Sequence, residues 1–186
     1  LGSKDAFLHP FDDPLLWQGH ATMIDEVAAD GCKPDVVILS VGGGGLLNGV
    51  VEGLQRNGWH DVPVIAVETE GAASFHAALQ AGHTVELAAI NSVAGSLGAK
   101  RVSEQSLRCA ATHPIHSALV TDSQAIAACS RFLNDHRVLT EPACGASLAV
   151  IYDSHPLLAA FRKPLVIVCG GATVTAEQLW HLSEKR

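Results

Sequence analysis

Asp35-Val36-Val37-Ile38-Leu39-Ser40-Val41-Gly42-Gly43-Gly44-Gly45-Leu46-Leu47-Asn48-Gly49-Val50 is the stretch on which the fold is read. Residues 35–41 form an apolar, largely β-branched run bounded by Pro34 and by glycines. That pattern describes a strand covered on both faces. Beyond the glycines, apolar residues at 46, 47, 50, 51 and 54 share one helical face, and Gly58 ends the pattern after Asn57. Strand, glycine turn and amphipathic helix together open a parallel crossover.

Outward from this unit the alternation continues. Val62–Val67 reads as a second buried strand, and Ala72–Ala81 as a helix stopped by Gly82. A helix over Ser103–Thr112 and a short strand over Ala118–Thr121 follow. Asp122 is placed to cap a helix running to about Asp135. Glu141-Pro142 opens another helix reaching Tyr152, with Pro in its first turn. Leu165–Cys169 reads as a third strongly buried strand, and a last helix runs from about Thr175 to Glu184. No repeat, linker or low-complexity tract interrupts residues 1–186. The expected fold is α/β, a parallel sheet flanked by helices.

Composition narrows the function classes. The 186 residues are 48% hydrophobic and 17% charged, and their mean hydropathy is +0.24, the profile of a chain with a real core. A net charge of −7 argues against a phosphate-backbone partner such as nucleic acid. The uncharged run between Asp35 and Glu52 is too short and glycine-rich to span a bilayer, and no basic segment precedes an apolar one as in a secretory signal. Cys32, Cys109, Cys129, Cys144 and Cys169 are widely spaced, with no C-x-x-C pair, so the expected compartment is the reducing cytoplasm. His113 and His116 are the one close histidine pair. With Pro114 between them they read as a polar loop rather than a metal site, and Asp12-Asp13-Pro14 reads as a turn. The chain opens at Leu1 with residues that read as the interior of a domain. A fragment, a processed chain or one half of a split protein is the expectation.

The glycines carry the chemistry. Without Cβ atoms the backbone at 42–45 can curl until its N–H groups converge, and the helix N-terminus adds partial positive charge at the same point. A phosphate dianion is the natural guest. A Walker A loop requires G-K-[ST] where Leu46-Leu47 stand, and a G-x-G-x-x-G fingerprint would need glycine at Leu47 or Asn48. Glu68, at the end of the next strand, keeps a nucleotide-binding alternative open. A tight turn without a ligand, and a merely solvated or ion-paired Glu68, are the plain readings beside it. Gly42, Glu68 and Cys169 all lie at carboxyl ends of strands, the edge where open parallel sheets bind ligands. Among other catalytic signatures, G-x-S-x-G and H-E-x-x-H do not occur.

Taken in order, His9-Pro-Phe-Asp-Asp-Pro14, Trp17-x-Gly19-His20, Ser40-Val41-Gly42 through Leu47, Glu141-Pro-Ala-Cys-Gly-Ala146 and Val168-Cys-Gly-Gly171 resemble pyridoxal-phosphate enzymes of the tryptophan-synthase-β type, fold type II. Within that group the resemblance is to the animal-type L-serine dehydratases/L-threonine deaminases, from about Phe7 to the C-terminus. It implies that residues 1–186 are the C-terminal part of a cofactor-binding large domain. Gly42, Gly43, Gly44 and Gly45 would hold the cofactor phosphate, Cys169 would face the pyridine nitrogen, and Ser96 would lie against the ring. A monovalent cation, potassium, would bind the Glu68 carboxylate and the carbonyls of Gly42, Ala72, Leu97 and Ala99, oxygen ligands suited to a hard ion.

The reaction so implied is loss of water from serine or threonine, giving pyruvate or 2-oxobutanoate and ammonia. The implied partners are the amino-acid substrate, the missing N-terminal half and a second copy in a homodimer. The family's Schiff-base lysine stands in an S-x-K-x-R-G motif. Lys4, Lys33, Lys100, Lys163 and Lys185 all lack that setting, so no catalytic residue is assigned in this chain. Two other readings stand beside this one, a non-catalytic phosphate- or nucleotide-binding Rossmann-like module and a degenerate fragment that helps assemble an oligomer.

Overall fold

A computed structural model of the chain describes residues 8–184. Its elements run α1 (Pro14–Ala29), β1 (Val36–Ser40), α2 (Gly45–Arg56), β2 (Val64–Thr69), α3 (Ser74–Ala81), α4 (Glu104–Thr112), β3 (Ile115–Val120), α5 (Asp122–His136), α6 (Pro142–Tyr152), β4 (Pro164–Val166) and α7 (Ala176–Glu184). Short 3-10 turns occupy Glu70–Ala72, Gly95–Leu97 and Pro156–Ala160. The four strands form one parallel sheet in the order β3-β2-β1-β4.

The strand sequences explain the layers. Successive side chains alternate across a strand. Val36 and Ile38 accordingly share a core with Ala143, Ala146 and Val150 of α6 and Ala125 of α5. Val37 and Leu39 share the other core with Leu47 and Val50 of α2 and Phe75 of α3. Every residue of β1 and β2 is buried, as a doubly covered strand requires. The carboxyl end of β1 is pinned to α6, where Ser40 Oγ accepts from Ser147 N at 3.1 Å. Among the described residues no helix is long and apolar enough to cross a membrane.

Several expectations change. Leu165–Cys169 is not a third strongly buried strand. β4 covers Pro164–Val166 at the sheet edge, is exposed or half-buried, and gives way after Ile167 N donates to Ile38 O at 2.9 Å. β3 begins at Ile115, before the expected Ala118, because His116 and Ser117 interrupt its apolar pattern without interrupting its pairing with β2. The cap of α5 is Thr121, in a capping box with Gln124, and not Asp122, whose carboxylate accepts from Ser92 Oγ and Val93 N instead. His113 stands in the short connection between α4 and β3 but is not exposed there, and His116 lies in β3 rather than in a loop. His113 is buried behind α4 and its Nε2 donates to Val62 O at 2.8 Å.

Helix α1 has no counterpart in the sequence reading, since only Ala21 and Ile24 are buried and its apolar stripe is thin. The Asp12-Asp13-Pro14 turn is its start, with Asp13 Oδ1 accepting from Leu15 N at 2.9 Å. α1 is held by close approach to α2. A Cβ on Gly49 would sit 2.6 Å from Trp17 O, and one on Gly53 2.7 Å from Ala21 O, so the two backbones nearly touch.

Candidate functional site

The strand-to-helix turn after β1 opens into a cavity of about 340 Å³, within the range of small-molecule sites. Gly42–Gly45 line it together with Pro10, Phe11, Ser96, Glu141, Cys144 and Cys169. The cavity thus gathers residues from five distant segments at the carboxyl edge of the sheet. Phosphate-cradle, ring-face and ring-nitrogen candidates from the sequence all meet here.

Two features fit the turn to a phosphate. Among the described residues no protein acceptor takes the N–H groups of Gly42, Gly43, Gly44 or Gly45, although Gly44 and Gly45 are buried. Buried main-chain donors are almost always paired, so an acceptor belongs there. The twelve-residue helix α2 begins at Gly45 and directs its positive end at the same place. No Lys, Arg or His lines the cavity among the described residues, so attraction for an anion comes from the main chain.

The turn is braced on both sides. On one side lies Phe11, whose Cγ would be 2.2 Å from a Cβ on Gly43, and Phe11 O in turn accepts from Trp17 Nε1 at 2.9 Å. On the other side lies a buried polar triad. Asn48 Nδ2 donates to Ser103 Oγ at 3.0 Å, Ser106 Oγ donates to Asn48 Oδ1 at 2.9 Å, and the two serine hydroxyls are 3.0 Å apart. Ser103 N also donates to Gly43 O at 3.0 Å. Gly44 takes φ +95°, and a Cβ there would lie 2.0 Å from Ser106 Oγ. Left-handed backbone and lack of room both require glycine at this position.

Cys169 faces the cavity, and its N–H donates to Cys144 Sγ at 3.3 Å. Cys169 is exposed by its overall accessible surface, yet its sulfur is partly desolvated, and this, then the Cys144 thiol and the Glu141 carboxylate, raise the thiol to about 11, so it is neutral at physiological pH. Burial also raises Glu141. Hydrogen bonds from the Ser96 and Thr173 side chains and the Thr173 N–H outweigh it and hold the carboxyl below its usual range.

Glu68 is not a wall of this cavity. It is completely buried at the end of β2, where Oε1 accepts from Phe75 N at 2.8 Å and Oε2 from His76 N at 2.7 Å. The two bonds cap α3, yet burial dominates and raises the carboxyl to about 7. Gly42 and Leu97 line the cavity, Ala72 is buried in the turn before α3, and Ala99 N donates to Leu97 O at 2.8 Å. Phe11, the Asn48–Ser103–Ser106 triad and the Glu141 carboxylate were not singled out from the sequence. The triad spans 58 residues and leaves no local signal. Glu141 does leave one, an acid with poor capping ability at a helix start.

Comparison with known proteins agrees with this geometry. The profile of the pyridoxal-phosphate dependent enzyme family matches residues 2–170. A human protein named L-serine dehydratase/L-threonine deaminase is 50% identical over 96% of this chain and 57% of its own length. The crystal structure of a fungal L-serine ammonia-lyase from Rhizomucor miehei superposes with a TM-score of 0.91 at 37% identity, over 96% of this chain and 59% of that one. The processed form of threonine deaminase isoform 2 from Solanum lycopersicum superposes with a TM-score of 0.85 at 25% identity, over 95% of this chain and 51% of that one. The chain therefore spans between about half and three fifths of the length of these relatives. With the family profile running through the glycine turn and as far as Cys169, residues that share one cavity, the chain belongs to the pyridoxal-phosphate dependent enzymes.

Proposed function

We propose that the chain is the C-terminal, cofactor-binding part of a dehydratase that removes water from L-serine or L-threonine, giving pyruvate or 2-oxobutanoate and ammonia. The observation that carries this is the run of unpaired N–H groups at Gly42–Gly45 facing Cys169 across one cavity, on a chain half identical to a relative named for that reaction. When bound, pyridoxal phosphate supplies the electron sink that makes the amino acid's α-proton removable.

The chain's own groups have distinct tasks. Gly42–Gly45 would hold the phosphate dianion through main-chain donors, from where a phosphate could give a proton to the leaving hydroxyl. Cys169, neutral, offers the ring nitrogen a hydrogen bond without the charge that would keep the nitrogen protonated. Ser96, which lines the cavity, would flank the ring. On this reading the lysine that removes the α-proton lies outside residues 1–186, because none of the five lysines here stands in an S-x-K-x-R-G setting. Of the three lysines among the described residues, Lys33 pairs with Asp61, Lys100 donates to Ala88 O, and none of them, Lys163 included, lines the cavity.

A potassium ion at Glu68 is part of the same proposal. Its support is a fully buried carboxylate with no cationic partner among the described residues, and the nearby Ser74 hydroxyl, buried without a hydrogen bond. No cluster of three His, Cys, Asp or Glu side chains forms a metal site among the described residues, so the ion would rest mainly on the carbonyls of Gly42, Ala72, Leu97 and Ala99. A homodimer in the cytoplasm completes the reading. Its five free cysteines support the reducing compartment.

The test supplies, in trans, the portion of a relative that this chain does not match. The assembly should form keto acid from L-serine or L-threonine. The chain alone with pyridoxal phosphate and borohydride should fix no cofactor stoichiometrically to one lysine. A cofactor-loaded assembly that forms no keto acid, or one lysine fully labelled in the chain alone, overturns the reading.

A further inference from the structure

We propose that Glu141 is the positioning residue for Cys169, its carboxylate tying the loop that follows the thiol to the start of α6. The inference deepens the proposed function, because that loop faces the cofactor cavity. Glu141 stands at the N-cap of α6 but makes no side-chain cap. A side chain in that place ordinarily turns back to the first free N–H groups of its helix. Here the carboxylate goes the other way. It accepts from Thr173 N at 3.2 Å and from the Thr173 hydroxyl.

The main chain of the same residue completes the grip. Glu141 N donates to Gly170 O at 3.0 Å, while Glu141 O accepts from Cys144 N and Gly145 N, both at 2.9 Å. The segment 170–173 is thus held at both ends by one residue, with Cys169 immediately before it. The fit is tight, since a Cβ on Gly171 would lie 2.4 Å from Leu139 O. On the other side, Cys144 Sγ receives the Cys169 N–H. The main chain on both sides of the thiol is thus fixed, and the Glu141 carboxylate adds, after burial and the Cys144 thiol, to what discourages its ionisation.

Two roles follow for the known chemistry of a thiol. Glu141 aims Cys169 into the cavity, and it keeps the sulfur protonated and weakly nucleophilic. The charged or titratable groups acting on Cys169 are Cys144 and Glu141.

The test is alkylation of the chain by iodoacetamide between pH 7 and 10, followed peptide by peptide, with no cofactor present. Cys32, exposed before β1, is the internal standard. Glu141→Gln should raise the rate at Cys169 relative to Cys32 by about threefold or more at fixed pH and move its pH profile downward. Thr173→Val, which removes one donor but keeps the charge, should raise accessibility without moving the profile. Glu141→Asp should restore the profile more than the rate. Should Glu141→Gln fail to fold, Thr173→Val decides alone. An unchanged Cys169/Cys32 ratio in the folded variants overturns the proposal. The readout involves no cofactor and no turnover, so this failure is distinct from failure of the dehydratase reading.

Discussion

Glu68 has no solvent-exposed surface, and its carboxyl is raised from 4.5 to about 7, chiefly by burial. A carboxyl raised on folding favours the folded state most when protonated. Its contribution is complete below 4.5 and is lost as pH rises through about 7, an interval corresponding to about 3 kcal/mol. His113 acts with the opposite sign. Burial lowers its pKa, so its contribution is present above 6.5 and lost as pH falls. Urea unfolding at pH 5 and 7.5 should therefore show a loss that Glu68→Gln removes, at the expense of lower stability at both values. Potassium should reduce the loss in the wild type relative to tetramethylammonium. Equal losses in the two salts would leave Glu68 as a helix cap and nothing more.

At the scale of elements, the junction of β1 and α2 shows what a sequence discloses. Its strand, turn and helix were legible because an apolar β-branched run, four glycines and a helical stripe are all local patterns. α1 was not, because its hold on α2 comes from missing atoms at Gly49 and Gly53 rather than from its own residues. β4 was legible as a strand but not as an edge, since burial depends on which neighbours pair with it. In the site, Gly42–Gly45, Ser96 and Cys169 do come together, while Glu68 does not join them. The bracing of the turn by Ser106 is open to a double-mutant cycle. Gly44→Ala should cost about 1–3 kcal/mol through strain and crowding. Ser106→Ala should cost about 1–3 kcal/mol by leaving Asn48 without its donor. Together they should cost less than the sum by roughly 1 kcal/mol, because removing Ser106 Oγ frees the space the new methyl needs. Additive losses in chemical denaturation would show that the triad does not press on the turn.

Across the whole molecule, order should follow the position of each strand in the sheet. β1 and β2 are central, paired on both sides and buried throughout, whereas β4 has three residues at one edge and α7 buries only Leu179. Hydrogen exchange should find the slowest amides at Val37–Leu39 and Ile65–Val67 and the fastest structured ones in α7 and β4. Comparable protection of β4 and β1 would contradict this ordering. The same ordering places the glycine turn at the end of a central, fully buried strand and the Cys169 loop at the end of the least buried one.

A grip composed of peptide N–H groups has no proton to surrender and no side chain to lose. The donors at Gly42–Gly45 are the same in mild acid as in mild alkali, so retention of a bound phosphate should track the ligand's own second ionisation, at about pH 6. For the same reason, surrounding side chains are free to drift in an evolving lineage while the cradle survives, provided the path of the chain through these glycines is kept.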